Sequence, residues 1–166
     1  MPEDFVAAIE FETMVFGRHQ ADLTGRPRRT AGTLDHSSYL ILNVLQIAGP
    51  QSVAELSGIT GLTQSTLTRQ TAATVADGYA EHILDPGGAI ARKLRITRSG
   101  IAVLTKERAL TRELVGEIVA DWSIEERRSL AKMLKKLNND IEKRSGRTWP
   151  RPSAEDIRAY RAGEGE

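Results

Sequence analysis

The spacing of apolar residues along the chain predicts a mainly helical fold. Apolar side chains recur at every third or fourth position in residues 4–20, 37–48, 64–77 and 98–120, which is typical of amphipathic helices. Residues 79–84 are strand-like and precede an Asp-Pro-Gly-Gly turn, after which Leu94 and Ile96 alternate with polar residues. The pattern therefore predicts a mainly α chain with a small β-hairpin, an α+β arrangement.

Short capping motifs mark where further helices begin. Ser52 and Glu55 have the S-x-x-E spacing of a capping box, and Ser123 and Glu126 repeat it before a last helix. Thr63 is the expected N-cap of the 64–77 helix. Residues 52–77 therefore contain two helices joined by a short turn, which is the outline of a helix-turn-helix.

The second helix of this motif has an unusual polar face. It opens with hydroxyl and amide side chains, although Glu, Lys or Ala would favour a helix more strongly. Such groups can hydrogen-bond phosphates and base edges without bulk in a major groove. The alternative is an ordinary polar face near a helix cap, where Ser and Thr are common. The candidate DNA-binding residues of this helix are Gln64, Ser65, Thr66, Thr68 and Arg69.

A cluster of cations follows in the predicted hairpin. Arg92, Lys93 and Arg95 lie on its second strand, close to Arg98 at the start of the next helix. A short cationic stripe beside a polar helix suits contact with a phosphate backbone. The alternative is a solvated strand edge that is protected by charge. The hairpin directly after the helix-turn-helix corresponds to the wing of a winged helix-turn-helix, and together the two features favour DNA contact.

Composition excludes several other classes of protein. The 166 residues are 40% hydrophobic and carry a formal net charge of +1, which suits one globular domain without a strong overall field. The lack of cysteine excludes disulfides, thiolate catalysis and Cys-based zinc sites. We expect no metal, no cofactor and no enzymatic activity, because the three histidines lie far apart and no phosphate loop or nucleophile elbow occurs. A small hydrolase would need an acid–base pair that the sequence lacks.

The chain also lacks the signals of a membrane or secreted protein. No apolar run approaches the roughly 20 residues that a membrane-spanning helix needs. The first residues are acidic, whereas a signal peptide opens with positive charge. We therefore expect a cytoplasmic protein that does not engage membranes.

Several of these segments together resemble one family of bacterial regulators. Residues 52–70, 77–79, 85–86 and 94–100 are similar to the multiple-antibiotic-resistance regulator (MarR) family of winged-helix transcription regulators. Residues 34–40 resemble its second helix and residues 120–123 the step into its last helix, so the resemblance covers about residues 5–145. It implies a homodimer whose copies read the half-sites of a pseudo-palindromic operator in double-stranded DNA.

The resemblance also suggests how the single domain of residues 1–166 is organised. The winged-helix lobe (residues 35–100) would bind DNA, the segments 4–22 and 101–145 would form dimerisation helices, and residues 146–166 would form a tail. Wide apolar stripes at both ends of the chain agree with helices that interlock with a partner. The candidate interface residues are Phe5, Ile9, Leu130, Leu134, Leu137 and Ile141.

Many members of this family release DNA when they bind a small aromatic anion. Residues at the ends of elements that should meet could line such a cleft: Phe16, His19, Tyr39 and Trp122, with Arg18 as a charge partner. Plain core packing is the favoured alternative for these residues. It is favoured most for Trp122, whose expected role is to anchor the core before the last helix.

Two segments depart from the family or lie beyond it. Wings of the family carry an Asp-Arg or Arg-Arg pair at the tip, where this chain has Ala89 and Ile90. This departure leaves open an alternative function, a winged-helix module that binds proteins without specific DNA binding. In the tail, residues 153–162 could form a marginal helix, but we expect disorder. The favoured prediction is a DNA-binding transcriptional regulator, a repressor by preference.

Overall fold

Helices flank one β-hairpin in the part of the chain that the structure describes. The computed structural model describes residues 4–24, 34–85, 87–88, 92–153, 155 and 157. The predicted mainly α fold with a small hairpin is confirmed, and the ends of the predicted helices agree within four residues. In chain order the elements are α1 (Phe5–Thr24), α2 (His36–Ala48), α3 (Val53–Thr60), α4 (Gln64–Ala76), β1 (Ala80–Leu84), β2 (Arg92–Ile96), α5 (Arg98–Ile118) and α6 (Ile124–Ser145).

The predicted caps begin the helices as expected. Ser52 Oγ accepts a hydrogen bond from the Glu55 backbone N–H at 3.1 Å, and the Glu55 carboxylate accepts one from the Ser52 N–H at 2.6 Å. Ser123 and Glu126 form the same reciprocal pair at the start of α6. Thr63 caps α4 by accepting from a backbone N–H of its first turn. Each cap satisfies backbone donors that a helix start leaves without a partner.

A tight turn sets α4 across α3. Gly61 has φ of 74°, in the left-handed region that favours glycine, and its N–H donates to the Ser57 carbonyl at 2.9 Å. Two residues later Thr63 begins the next helix. The predicted helix-turn-helix is therefore present as α3, this turn and α4.

The buried core lies between α2, α3, α4, the hairpin and the first turns of α5. α2 packs against α4, α5 and β2, and α4 packs against α3 and β1. Gly100 allows α5 to approach the hairpin, because a Cβ at this position would overlap the Tyr79 carbonyl oxygen. The core side chains are Leu34, Ile41, Leu42, Val44, Leu45, Leu56, Leu67, Ala80, Leu94 and Leu104.

The hairpin is joined to the helix-turn-helix by an extra pair of hydrogen bonds. β1 and β2 are antiparallel, with Glu81 opposite Arg95 and Ile83 opposite Lys93. Gln51, just before α3, exchanges backbone hydrogen bonds with Leu94 of β2 at 2.7 and 3.0 Å. The orientation of β2 is therefore fixed relative to the start of α3.

The ends of the chain differ from two expectations. Trp122 is 41% exposed, so its expected role as a core anchor is wrong, because it lies in the turn between α5 and α6 rather than under a helix. In the tail, Glu155 and Ile157 are helical, and the Ile157 N–H donates to the Ser153 carbonyl. The other residues of 154–162, like Ala89 and Ile90 of the wing tip, lie outside the described residues.

Candidate nucleic-acid interface

The outer face of α4 carries the polar residues that the sequence singled out. Gln64, Ser65, Thr68 and Arg69 are exposed, and Thr66 is partly buried. Among the described residues, none forms an ion pair with Arg69, so its guanidinium faces solvent without a carboxylate partner. The helix therefore presents donors, acceptors and one cation on a single face.

The inner face of α4 holds the helix against the core. Leu67, Thr71 and Thr74 are buried, and each threonine hydroxyl donates to a carbonyl in the preceding turn of the helix. The Thr74 hydroxyl also lies 3.3 Å from the Ser38 hydroxyl of α2. Buried hydroxyls are expensive to leave without partners, and these are all hydrogen-bonded. The hydroxyl-rich composition of α4 therefore has two causes, a packed inner face and an exposed outer face.

The first turn of α4 orders its hydroxyls among themselves. Thr63 Oγ1 donates to Thr66 Oγ1 at 2.9 Å and lies 3.1 Å from Ser65 Oγ. Thr68 Oγ1 donates to the Gln64 carbonyl at 2.8 Å. A hydroxyl has two acceptor lone pairs besides its proton, so these groups keep the capacity to bind a phosphate or a base edge. Their positions are held before any ligand arrives.

Arg95 of the wing has an exchangeable partner. Its guanidinium donates two hydrogen bonds to the Glu81 carboxylate on the opposite strand, at 2.6 and 3.1 Å. Both side chains are about half exposed, 53% for Arg95 and 47% for Glu81. Exposed pairs of this kind contribute only about 0–1 kcal/mol, so a phosphate can compete for the guanidinium.

Lys93 has a more enclosed position than the sequence suggested. Its Nζ lies 3.0 Å from the Glu55 carboxylate and 3.6 Å from that of Asp85, and the side chain is only 18% exposed. The Ser52 backbone N–H, together with the Lys93 ammonium, lowers the pKa of Glu55, while the hydrogen bond to Glu55 raises the pKa of Lys93. Lys93 therefore links β2 to the cap of α3 in the DNA-free chain.

Arg92 stands apart from these pairs. It is exposed at the first position of β2, opposite Leu84. The three wing cations thus differ in surroundings, and the acidic partners of two of them were missed by the sequence analysis. For Arg95, the signal was present, because the antiparallel register of the hairpin places Glu81 across from it.

A polar contact between α2 and α5 was also missed. The Arg108 guanidinium of α5 donates to the side-chain oxygens of Asn43 and Gln46 on α2, the latter at 2.6 Å. Arginine presents several donors in a fixed plane, so it can hold two side-chain oxygens at once. This network fixes the helix that supports α4. A lone arginine in a helical pattern gives no signal of such a partner.

The candidate ligand residues lie on three elements. Phe16, Arg18 and His19 are exposed on α1, Tyr39 of α2 packs partly buried against the core, and Trp122 follows α5. Two clefts formed by described residues, one beside α3 and one along α6, contain none of the five. The ligand site stays a prediction.

The candidate interface residues are all exposed in the single chain. Phe5 and Ile9 lie on α1, and the other four lie on α6, where no described side chain is buried.

No described helix is long and apolar enough to cross a membrane. In the same residues, no cluster of His, Asp or Glu could hold a metal ion.

Solved structures of MarR family proteins have the same fold. A MarR family protein from Bacillus stearothermophilus superposes with a TM-score of 0.68 at 20% identity, covering 85% of this chain and 98% of that one. Wild-type MarR from E. coli in its apo form gives 0.62 at 18% identity, with 82% and 97% covered. These likenesses establish the fold. No sequence model of a protein family matches the chain.

A relative with closer sequence similarity decides the family. The uncharacterized HTH-type transcriptional regulator YxaD of Bacillus subtilis (strain 168) is 32% identical over 133 residues, which are 80% of this chain and 92% of YxaD. The chain belongs to the MarR family. Members of this family are transcriptional regulators rather than enzymes, so the expected lack of enzymatic activity is confirmed. In this fold α4 is the second helix of the helix-turn-helix, and the hairpin β1–β2 corresponds to the wing.

Proposed function

We propose that this MarR-family DNA-binding regulator is a cytoplasmic repressor that acts as a homodimer on a pseudo-palindromic operator. The main support for this proposal is the exposed polar face of α4. Its inner side chains are buried, while Gln64, Ser65, Thr68 and Arg69 face outward. A helix held in this way can enter a major groove without losing its own packing.

The side chains of α4 have distinct parts in this proposal. Gln64 and the hydroxyls of Ser65, Thr66 and Thr68 hydrogen-bond base edges or phosphates, because such groups both donate and accept. Arg69 contributes a bidentate contact to a guanine edge or a phosphate. A repressor results when the bound dimer covers DNA that the transcription machinery needs.

The wing contributes backbone contacts that carry no sequence information. Arg92 is exposed, and Arg95 can exchange its Glu81 partner for a phosphate. Lys93 would have to leave Glu55 and Asp85 to do the same, so we rank it below the two arginines. The net effect of the wing is an affinity that falls as salt rises.

Dimerisation follows from the apolar side chains at the two ends of the chain. Large apolar residues of α1 and α6 are exposed to an extent that a monomer in water rarely tolerates. Pairing about a two-fold axis would cover residues 4–22 and 101–145 and leave the winged-helix lobe free. It would also place the two α4 helices about one DNA turn apart, roughly 34 Å.

Control of DNA binding by a small aromatic acid is the most detailed part of the proposal. The acid would bind between α1 and the winged-helix lobe, in contact with Phe16, His19 and Tyr39 and with Arg18 as its charge partner. Trp122, in the turn between α5 and α6, would complete the site. Titration with salicylate-like acids is expected to lower DNA affinity and raise the melting temperature. If both quantities stay constant, this part is wrong.

The test of DNA binding uses duplexes selected from a random pool by the wild-type protein. Affinity is measured by fluorescence anisotropy at several salt concentrations, and we expect a steep linear fall of log K with log salt through counterion release. Arg69→Ala is expected to weaken binding by about 1–3 kcal/mol, roughly 5- to 150-fold. Arg128→Ala is the matched control, because Arg128 is an exposed arginine of α6.

Two results would contradict DNA recognition by α4. One is an affinity that does not change with salt, as expected for a protein-binding adaptor. The other is an equal effect of Arg69→Ala and Arg128→Ala, which would mean that only total charge matters.

The dimer is tested separately by a charge in the predicted interface. Leu134→Glu introduces a carboxylate on the apolar face of α6, and burying it against a partner would cost several kcal/mol. We expect light scattering to give half the wild-type mass. A dimer of unchanged mass and stability would remove α6 from the interface.

A further inference from the structure

The chain turns back on itself directly after α6. Gly146 ends the helix with φ of 67°, in the left-handed region, and the following residues run towards α3. We call residues 146–151 the C-terminal strap. No part of it was assigned a role by the sequence.

The strap inserts an aromatic ring at the edge of the winged-helix core. Trp149 is partly buried and packs against the core cluster. It shares a cleft with Ile59 of α3 and Ile141 of α6. A tryptophan at such a position contributes a large rigid apolar surface. The strap therefore reaches from the predicted dimerisation helix to the helix-turn-helix.

A second strap residue covers the turn of the helix-turn-helix. The Arg147 guanidinium lies over Gly61, so closely that a Cβ at Gly61 would be 3.0 Å from its Cζ and 3.1 Å from its Nε. Gly61 is the residue that ends α3 and aims α4. Arg147 thus packs on the backbone that determines the angle between these two helices.

The far end of the strap is tied back to α6. Arg151 donates two hydrogen bonds to the Glu142 carboxylate, at 2.6 and 2.9 Å, and a third to the Trp149 carbonyl. The Glu142 side chain is only 17% exposed, so water screens this pair less than an ordinary surface pair. With Trp149 in the core and Arg151 on α6, the strap is anchored on both sides.

α3 and α6 remain separated where the strap joins them. A cleft of about 460 Å³ lies between them, lined by Ile59 on one side and by Asn138 and Ile141 on the other. α6 has no buried side chain along its length. The described contact between the end of α6 and the helix-turn-helix therefore runs largely through the strap.

We propose that Trp149 is a positioning residue for DNA recognition. Through the strap, the dimerisation helices hold α3 and α4 at a set distance and angle, so the separation of the two α4 copies in the dimer is fixed. This inference rests on the proposed function. Each inserted base pair moves a half-site by roughly 3.4 Å along the helix axis and rotates it, so a rigid pair of readers discriminates between spacings.

The test compares operators that differ only in the spacing of their half-sites. Duplexes selected from a random pool by the wild-type dimer are remade with one and two base pairs inserted at the centre. The wild-type protein is expected to bind each inserted duplex at least tenfold more weakly than the parent. Trp149→Ala is expected to keep the dimer mass and to bind all three duplexes within about threefold of one another.

Matched variants separate positioning from loss of folding. Thr148→Ala changes an exposed neighbour in the strap and is expected to behave as wild type. Trp149→Phe, which keeps an aromatic ring, is expected to restore most of the discrimination. If Trp149→Ala does not fold, Arg151→Gln, which leaves the core intact, is expected to reduce the discrimination at least threefold.

The outcomes distinguish the strap from the DNA-binding proposal. If wild type discriminates between spacings and the folded strap variants discriminate equally well, the strap has no positioning role. If wild type selects no DNA, the proposed function fails and this inference fails with it.

Discussion

The winged-helix lobe and the helices that flank it are built from similar sequence patterns but differ in what they bury. α2 has 13 residues, of which Ser38, Ile41, Leu42, Val44 and Leu45 are buried. α6 has 22 residues and none is buried, although it has a complete capping box and a regular apolar stripe. α1 also has no buried residue among those with described side chains.

The difference concerns what stabilises each helix. Helices of this length gain most of their stability from packing an apolar face, so α2 is stabilised within the chain. α6 has the sequence of a helix whose face packs, yet that face is open here. The comparison indicates that the lobe folds around its own core, and it supports the proposal that a second copy covers the apolar faces of α1 and α6.

The largest effect is expected when a leucine is replaced by alanine, in one variant within the lobe and in another variant within α6. Leu56→Ala removes a fully buried side chain of α3 and is expected to cost about 2–5 kcal/mol of unfolding free energy, through lost burial and a cavity. Leu137→Ala removes a side chain of α6 that is 38% exposed, and is expected to weaken association instead. Urea unfolding followed by circular dichroism measures the first effect, and light scattering on dilution measures the second.

The comparison between α3 and α6 is wrong if both variants lose unfolding free energy to the same extent. A large loss of unfolding free energy for Leu137→Ala, with the dimer's dissociation concentration unchanged, would show that α6 packs within its own chain.

A smaller effect is expected on the wing. Arg95→Glu replaces an exposed cation and is expected to lower DNA affinity about tenfold for all sequences alike, because a phosphate contact carries no base information. Anisotropy with selected and unrelated duplexes measures it. A loss confined to selected duplexes would instead indicate a base contact.

The control for Arg95→Glu keeps the cross-strand pair. In the double variant Glu81→Arg, Arg95→Glu the two charges are exchanged, so the hairpin retains its ion pair and the net charge is unchanged. If this variant binds as wild type, position 95 itself is not required, and either strand can supply the cation.

The smallest effect is expected from the cap that joins α3 to the wing. The folded-state pKa of Glu55 is lowered by the Ser52 N–H and by Lys93, so its ionised form stabilises the fold above its ordinary pKa of about 4.5. This contribution is lost as the pH falls through the lowered value. We expect Glu55→Gln to reduce the melting temperature by about 1–2 °C at pH 7.

The same difference in melting temperature is expected to shrink as the pH falls from 4.5 through the lowered pKa of Glu55, where the wild-type Glu55 becomes protonated too. Glu113→Gln, at an exposed position of α5, is the control. A difference that stays constant over this range would mean that Glu55 acts through its shape rather than its charge.

Local signals predicted the elements well because they act within a few residues. The capping boxes at Ser52 and Ser123 and the cap at Thr63 each depend on a neighbour three residues away, and all three are present. The candidates on α4 followed from the hydroxyl and amide side chains that open this helix.

Contacts between distant segments could not be predicted in the same way. Lys93 meets Glu55 across 38 positions, and Arg108 meets Asn43 across 65. A sequence pattern gives the charge of each residue but not the distance to a partner on another element. For the same reason Trp122 was expected to be buried and Trp149 was not considered as a core residue.

The sequence by itself determined the helices, the hairpin, the turn at Gly61 and the family, because these depend on short-range periodicity and on motifs at fixed spacing. Only the tertiary structure decided which threonines of α4 face the core, which wing cations are already paired, and where the end of the chain docks. These depend on the packing of segments far apart in sequence, and hence on distances and burial that no local pattern encodes.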